Sequence, residues 1–240
     1  MKWRIINEGN YSEPVHQALE EHLTEKIQNG EMQPTLRFWY RSRDSVPMGR
    51  FQAYSDEVEE EYIQENGIDV VRRITGGGAM FVEPGNVITY SLYLPKDQVS
   101  EDIQESYQEL GSFAVEALNE LGVDADYQPL NDIEHEEGKL GGAAQLRKKN
   151  AVLHHTTMSY DLDTKKMLKA LRIGKEKVSD KAVKSAEKRV SRIKDHSDSG
   201  RSEVVEKMIE KFSEDTDEER KRARDLAEEK FSTDEWNRKL

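Results

Sequence analysis

Residues 70–79 read Val-Val-Arg-Arg-Ile-Thr-Gly-Gly-Gly-Ala, and this stretch decides both the predicted fold and the place where chemistry is expected. Its β-branched start predicts a strand, and its three glycines predict a loop whose backbone can approach a ligand closely. No Gly-Lys-Ser/Thr follows, which excludes a Walker-type phosphate loop, and the next segment is strand-like, which excludes a dinucleotide-binding fingerprint. Three glycines also occur in ordinary turns, so the motif alone leaves a structural loop and a binding loop both open.

Strand and helix patterns alternate on both sides of this stretch. The predicted strands cover 2–6, 36–41, 46–50, 68–74, the two arms of a hairpin around Pro84-Gly85-Asn86 within 79–94, 139–147 and 151–161. The predicted helices include one with Val15, Leu19, Leu23 and Ile27 on one face, one over 56–65, one from Ile103 to Leu121, and a helical part from about 164 to 240. We therefore expect one α+β domain over 1–240, with mixed or antiparallel sheets flanked by helices and a helical C-terminal segment.

Composition narrows the classes of function. The net charge of −12 argues against general nucleic-acid binding, which needs an excess of Lys and Arg. The chain has no cysteine, so disulfides, thiolate metal sites and a cysteine nucleophile are excluded within it. No stretch approaches the roughly 18 apolar residues of a membrane span and the first residues lack a signal-peptide pattern, so we expect no membrane association and a cytoplasmic location.

A second group of candidate residues follows in the hairpin predicted over 139–161. Lys139 precedes four small residues, and a lysine there can reach into a cleft and place its charge on a phosphate or carbonyl oxygen. The alternative is a surface lysine in a hairpin. Residues next to each other on a strand point to opposite faces, so His154 and His155 cannot readily share a metal ion. We expect each of these histidines to be structural or to line a substrate site.

In their order along the chain, these motifs resemble the lipoate-protein ligase family, within the wider biotin and lipoate ligase fold. The resemblance covers almost the whole chain. The segments that carry it are the Leu-Glu-Glu of the first helix, the Arg-Phe-Trp strand, 49–52, 70–79, Gly85-Asn86, 131–133, 139–145, His154-His155, 183–185 and 233–237.

The resemblance implies an enzyme that activates lipoate with ATP and Mg²⁺ to lipoyl-adenylate and then transfers the acyl group to a lysine of a carrier domain, without a tightly bound cofactor. It implies that Lys139 is the catalytic lysine and that Asp132 is a nucleotide contact or magnesium ligand. The residues that it implies for binding lipoate and ATP are Arg73, Gly76, Gly77, Gly78, Ala79, Phe81, Asn131, Asp132, Lys139, Gly142, Ala143 and His155.

A basic run from Lys175 to Lys194 is predicted to form a lid that closes over the adenylate. The resemblance includes Val183-Lys184-Ser185, and Lys181 is assigned to the same lid. A cationic segment repels itself when free and gains partners when an anionic phosphate binds. The alternative is a solvated, charged helix face.

The resemblance also implies partners. They are lipoyl carrier domains of the 2-oxoacid dehydrogenase E2 type or the glycine-cleavage H-protein type. Many family members carry an accessory C-terminal domain, which we expect to be absent here, and some receive it as a separate small subunit.

Two other hypotheses for the function stay open. One is an octanoyl or lipoyl transferase of the same fold, which would need a cysteine thioester, and the other is a non-catalytic lipoyl-binding module.

Overall fold

The computed structural model describes residues 3–172 and 190–226, with side chains as far as residue 213. The strands are β1 (Arg4–Ile6), β2 (Asn10–Tyr11), β3 (Thr35–Arg41), β4 (Ser45–Met48), β5 (Asp69–Arg72), β6 (Val87–Pro95), β7 (Asp126–Gln128), β8 (Asp132–His135), β9 (Gly138–Arg147) and β10 (Ala151–Ser159). The helices are α1 (Glu13–Gln28), α2 (Tyr54–Glu57), α3 (Glu60–Glu65), α4 (Ile103–Glu120), α5 (Thr164–Ala170), α6 (Ile193–His196) and α7 (Arg201–Leu226), with a 3-10 turn at Lys96–Gln98.

One mixed sheet of eight strands organises the chain, in the order β1-β3-β6-β10-β9-β8-β7 with β2 also paired to β3. Each adjacent pair along β3-β6-β10-β9-β8-β7 is antiparallel, while β1 and β2 run parallel to β3. Among the described residues, a second sheet is formed by β4 and β5, which are parallel. This arrangement confirms the predicted α+β class with helices flanking a mixed sheet.

The two faces of the large sheet differ in polarity. On one face, Phe38, Tyr90 and Leu92 pack with apolar residues of α4 and α7 in the largest hydrophobic cluster. Alternation along each strand then places polar residues such as Arg37 and Ser91 on the other face, against α1. The apolar face buries most of the hydrophobic surface that stabilises the fold, and the polar face holds the charged side chains.

The apolar stripe of α7 behaves as its spacing predicts. Val204, Val205, Met208 and Phe212 are buried, and Ile209 packs against the same cluster. Helix α4 also follows its predicted bounds, and Gly122 adopts a left-handed φ of +82° where that helix ends. Within the described ranges, no helix combines the length and the apolar character needed to cross a membrane.

Three predictions about the elements were wrong in detail. Residues 79–83 do not form the first arm of a hairpin, because Val82 makes only an isolated bridge to Ser45. The helix predicted over 56–65 is split into α2 and α3, since Val58 takes an extended conformation and bridges Leu171.

The third error concerns the face of α1. Val15 is 43% exposed, while Glu13, His16 and Glu20 are buried together with Leu23 and Ile27. This helix packs on the polar face of the sheet, where charged partners replace an apolar contact.

Candidate active site

The glycine-rich loop is held in place by Arg73. Its guanidinium group donates to the carbonyl oxygens of Pro47 (3.0 Å) and Gly76 (2.7 Å) and to the Thr75 hydroxyl (3.0 Å). The side chain is 4% exposed, and burial lowers the pKa of Arg73 to about 10, so the group stays protonated at neutral pH. Arg73 therefore shapes the loop from beneath.

A neighbouring turn at 49–52 braces the same loop. A Cβ on Gly49 would lie 1.9 Å from the carbonyl oxygen of Gly77, so the two backbones touch. Arg72 donates to the carbonyl oxygens of Gly49, Arg50 and Gln52 at 3.1, 3.0 and 2.6 Å. The two consecutive arginines thus fix two adjacent loops. Gly77 itself takes a left-handed φ of +100°, and Gly77 and Gly78 are exposed at the surface of this assembly.

The predicted lysine lies at the other end of the candidate site. The Lys139 ammonium group donates to the Asp132 carboxylate at 2.7 Å, and the two side chains are 44% and 29% exposed. A Cβ on Gly142 would lie 3.1 Å from Lys139 Nζ and 3.3 Å from Asp132 Oδ1, so the glycine makes room for this pair. Asn131 holds the adjoining strand by donating its side-chain amide to the Ala143 carbonyl oxygen at 2.5 Å.

Strand register brings the two motifs to the same face of the sheet. Gly142 pairs with Thr157 and Ala144 pairs with His155, so the small residues of β9 lie beside the polar residues of β10. His155 Nε2 then forms a 2.9 Å hydrogen bond with the Thr75 hydroxyl next to the glycine loop. The partly exposed strip at Gly142 and Ala144 therefore runs between the loop and the Lys139–Asp132 pair. Such a strip can hold an extended anionic ligand, with the Lys139 ammonium group as the protein cation at one end.

A buried network under this strip was not predicted. Glu20 of α1 accepts hydrogen bonds from Arg37 (3.0 Å) and from the Tyr93 hydroxyl, and its other oxygen bonds His155 Nδ1 at 2.9 Å. Burial raises the pKa of Glu20, but the hydrogen bond from His155 and the charge of Arg37 outweigh it and hold the pKa at about 2. Glu20 therefore stays ionised and connects α1 to Thr75 through His155.

The sequence carried a weak signal for this network. Glu20 and Arg37 are charged residues within segments whose apolar spacing predicts a helix and a buried strand, a pattern that usually marks a paired charge. His154, by contrast, points to the apolar face beside Tyr90 and Tyr107, and burial lowers its pKa to about 3. The prediction that the two histidines occupy opposite faces is confirmed.

The other predicted site residues are placed as follows. Ala79 is half-buried in the cluster around the small sheet, and Phe81 is 3% exposed within that cluster, beside Val46 and Met48. The predicted lid residues Lys181, Val183, Lys184 and Ser185 lie outside the described residues.

Comparison with known proteins places this arrangement in a family. Residues 13–213 match the family described as "Lipoyl protein ligase A/B catalytic domain". The "Probable lipoate-protein ligase A" of Mycoplasma pneumoniae is 33% identical over 82% of this chain and 57% of its own length, so the chain spans little more than half of that relative. The octanoyltransferase LipM of Clostridioides difficile is 27% identical over 80% of this chain and 78% of its own.

Solved structures agree with the sequence matches. A structure described as a bi-partite lipoate protein ligase and its E2 lipoyl domain from Thermoplasma acidophilum has a TM-score of 0.78 and 31% identity, covering 99% of this chain and 96% of that one. A lipoate-protein ligase A bound with ATP has a TM-score of 0.76 and 28% identity, covering 99% and 98%. The chain therefore belongs to the lipoyl protein ligase A/B catalytic domain family.

Proposed function

We propose that the protein is a lipoate-protein ligase that forms lipoyl-adenylate from lipoate and ATP and transfers the acyl group to a carrier lysine. The observation that carries the proposal is the Lys139 ammonium group beside Gly142, at the end of a polar strip that begins at the glycine loop. A relative of the same fold is described with bound ATP, which supports a nucleotide substrate.

The proposed reaction has two steps. In the first, a lipoate carboxylate oxygen attacks the α-phosphorus of ATP, the bond between that phosphorus and the bridging oxygen breaks, and pyrophosphate leaves. In the second, the neutral amine of the carrier lysine attacks the acyl carbon, AMP leaves with the bonding electron pair, and the new amide loses a proton. Lys139 stabilises negative charge that grows on phosphate oxygen in the first step and on carbonyl oxygen in the second.

Asp132 is the residue of this site that fits a magnesium ion. One of its carboxylate oxygens binds Lys139, and the side chain is 29% exposed, so it can reach a hydrated ion as well. Mg²⁺ prefers hard oxygen ligands and is commonly held by one or two carboxylates together with substrate phosphates. When bound, the ion would supply positive charge to the departing pyrophosphate, while Asp132 positions the Lys139 ammonium group.

A transferase is the second candidate, because the octanoyltransferase LipM also matches this chain. A thioester route needs a thiolate nucleophile, and the chain contains no cysteine. A ligase route needs the carboxylate, the nucleotide and a cation, and Lys139 beside Gly142 supplies that cation. We therefore favour the ligase.

The proposed partners are lipoyl carrier domains and a separate accessory polypeptide. The neighbour from Thermoplasma acidophilum is described as bi-partite and as studied with its E2 lipoyl domain. The chain has a net charge of −12, so an acidic carrier domain would be repelled by most of its surface and would bind best at a local basic surface. Such a surface exists in one depression, which is lined by Arg50, Arg72, Arg73, Arg147 and Lys148 together with Glu21.

The direct test combines the chain with lipoate, ATP, Mg²⁺ and a lipoyl domain, with and without a candidate accessory protein. Pyrophosphate release reports adenylate formation, and mass spectrometry of the lipoyl domain reports transfer. We expect ATP-dependent lipoylation of one lysine. ATP-independent acyl transfer from an octanoylated carrier would instead support the transferase, and lipoate binding without either reaction would support a non-catalytic module.

The glycine loop offers a matched pair of variants for ligand binding. In Gly77→Ala the new Cβ would lie 2.7 Å from Arg73 Nη2 at a left-handed φ, so we expect the loop to distort and lipoate affinity to fall about tenfold, equivalent to ~1.4 kcal/mol. In Gly78→Ala no atom lies within 4 Å of the new Cβ, so affinity should stay within about twofold. Calorimetric titration with lipoate measures both. Equal affinities for the two variants would mean that the loop is only a turn.

A further inference from the structure

A cluster of three side chains lies outside the proposed substrate strip, at the tip of the hairpin formed by β8 and β9. His135 ends β8, Glu137 follows in the turn, and His196 ends α6. One nitrogen or oxygen atom from each of the three lies within 4.8 Å of the others. The two imidazole rings stack with centroids 3.7 Å apart and planes inclined by 24°. His196, which lies 59 positions after Glu137 in the chain, thus joins the two residues of the hairpin in one group of possible metal ligands.

In each histidine, one ring nitrogen has a hydrogen-bond partner. The backbone N–H of Glu137 donates to His135 Nδ1 at 3.1 Å, and His196 Nε2 lies 2.6 Å from the Ser191 hydroxyl. The remaining nitrogens, His135 Nε2 and His196 Nδ1, have no such partner among the described residues. A ligating histidine usually donates its other ring N–H to an acceptor, and the Ser191 hydroxyl can accept from His196 in this way. His135 Nδ1 accepts its hydrogen bond, so the His135 ring has to give up that bond and carry its proton on Nδ1 before Nε2 can bind a metal.

We propose that His135, Glu137 and His196 form a binding site for a zinc-type divalent transition metal ion. Two imidazole nitrogens and one carboxylate are a donor set that zinc accepts with three protein ligands, leaving a fourth position for water. Zinc–nitrogen bonds of ~2.05 Å place two tetrahedral nitrogen ligands ~3.4 Å apart, a separation within the 4.8 Å that bounds the three donor atoms. To bind one ion, the two stacked rings have to separate and turn so that both nitrogen lone pairs point to it. The nitrogen ligands distinguish this site from the magnesium position at Asp132, because Mg²⁺ prefers oxygen donors.

The ion would join residues 190–196 to the strand that carries Lys139. The Ser191 N–H donates to the Lys139 carbonyl oxygen at 2.9 Å, and Val190 forms an isolated parallel bridge with Lys139. Ser191 is also the partner of His196. A metal bound to His135 and His196 therefore closes a ring of contacts around the backbone of Lys139 and stabilises residues 190–196 against the hairpin.

The test measures zinc binding by the tag-free full chain in excess Mg²⁺. Equilibrium dialysis is expected to give one zinc ion per chain, and the melting temperature should rise with zinc concentration, because the ion binds the folded state. His135→Ala and His196→Ala should each weaken binding by at least about tenfold, as removal of groups at a zinc site does. His22→Ala, which removes an exposed histidine of α1, is the matched control and should bind like the unaltered chain.

Cobalt substitution gives a second readout that does not depend on activity. Co²⁺ bound to nitrogen and carboxylate ligands in a low-coordinate site should produce a visible absorption band that zinc displaces, and both histidine variants should lose it. Zinc binding and melting temperatures that are the same in the unaltered chain, the double variant His135→Ala/His196→Ala and His22→Ala would overturn the proposal. So would binding that Mg²⁺ abolishes in the unaltered chain.

Discussion

Replacing Lys139 by alanine is expected to lower the rate of pyrophosphate release by about 10²–10³-fold, which corresponds to ~2.7–4 kcal/mol of lost transition-state stabilisation. The reason is that the ammonium group beside Gly142 is the proposed cation at the reacting end of the strip. Folding should change little, since the Lys139–Asp132 ion pair is 44% and 29% exposed and such pairs contribute only ~0–1 kcal/mol. Single-turnover pyrophosphate release and thermal unfolding measure the two effects separately.

Two control variants make this result specific. Lys139→Arg keeps the charge but replaces a compact ammonium with a planar fork, so we expect only partial recovery of the rate. Lys26→Ala removes another partly exposed lysine, which is 38% exposed and pairs with Glu31 at the end of α1, and should leave the rate unchanged. Wild-type pyrophosphate release by folded Lys139→Ala protein would remove Lys139 from the proposed mechanism.

Replacing Glu20 by glutamine is expected to lower the free energy of unfolding by on the order of 3–5 kcal/mol, the usual effect of removing one partner from a buried ion pair. The change leaves the 4%-exposed Arg37 guanidinium group without its carboxylate and alters the partner of His155. Urea denaturation followed by fluorescence measures the loss. Glu21→Gln is the matched control, because Glu21 is the next residue of α1 and is exposed. Equal midpoints for the two variants would show that the network adds nothing to stability.

The same carboxylate predicts how stability responds to acid. The pKa of Glu20 is held at about 2 in the folded chain, below the ~4.3 of an unperturbed glutamate in the unfolded chain. Its contribution is therefore fully present above about pH 4.3 and is lost as the pH falls toward 2. Unfolding free energies measured from neutral pH down to about pH 3 should decline less steeply in Glu20→Gln than in the unaltered chain. Parallel curves would contradict the assignment of a depressed pKa to Glu20.

Several features of the site followed from local patterns in the sequence. The glycine loop after β5, the small residues after Lys139 and the opposite faces of His154 and His155 all depend on residues close together in the chain. Helix α4 and the apolar stripe of α7 were also predicted, because a 3.6-residue period is a property of neighbours. The position of Lys139 beside Asp132 required the hairpin register, and the sequence suggested only that both belong to one site.

By itself, then, the sequence determined the class of the fold, the order of most elements and the two motifs of the candidate site. Only the tertiary structure decided that α1 buries Glu13, His16 and Glu20, that Arg73 holds the loop from below, and that His135 meets His196. The physical reason is that periodicity describes which residues share a face, whereas the partner of that face depends on contacts between distant segments. A charged face such as that of α1 is stable inside the protein only when those distant segments supply its counter-charges.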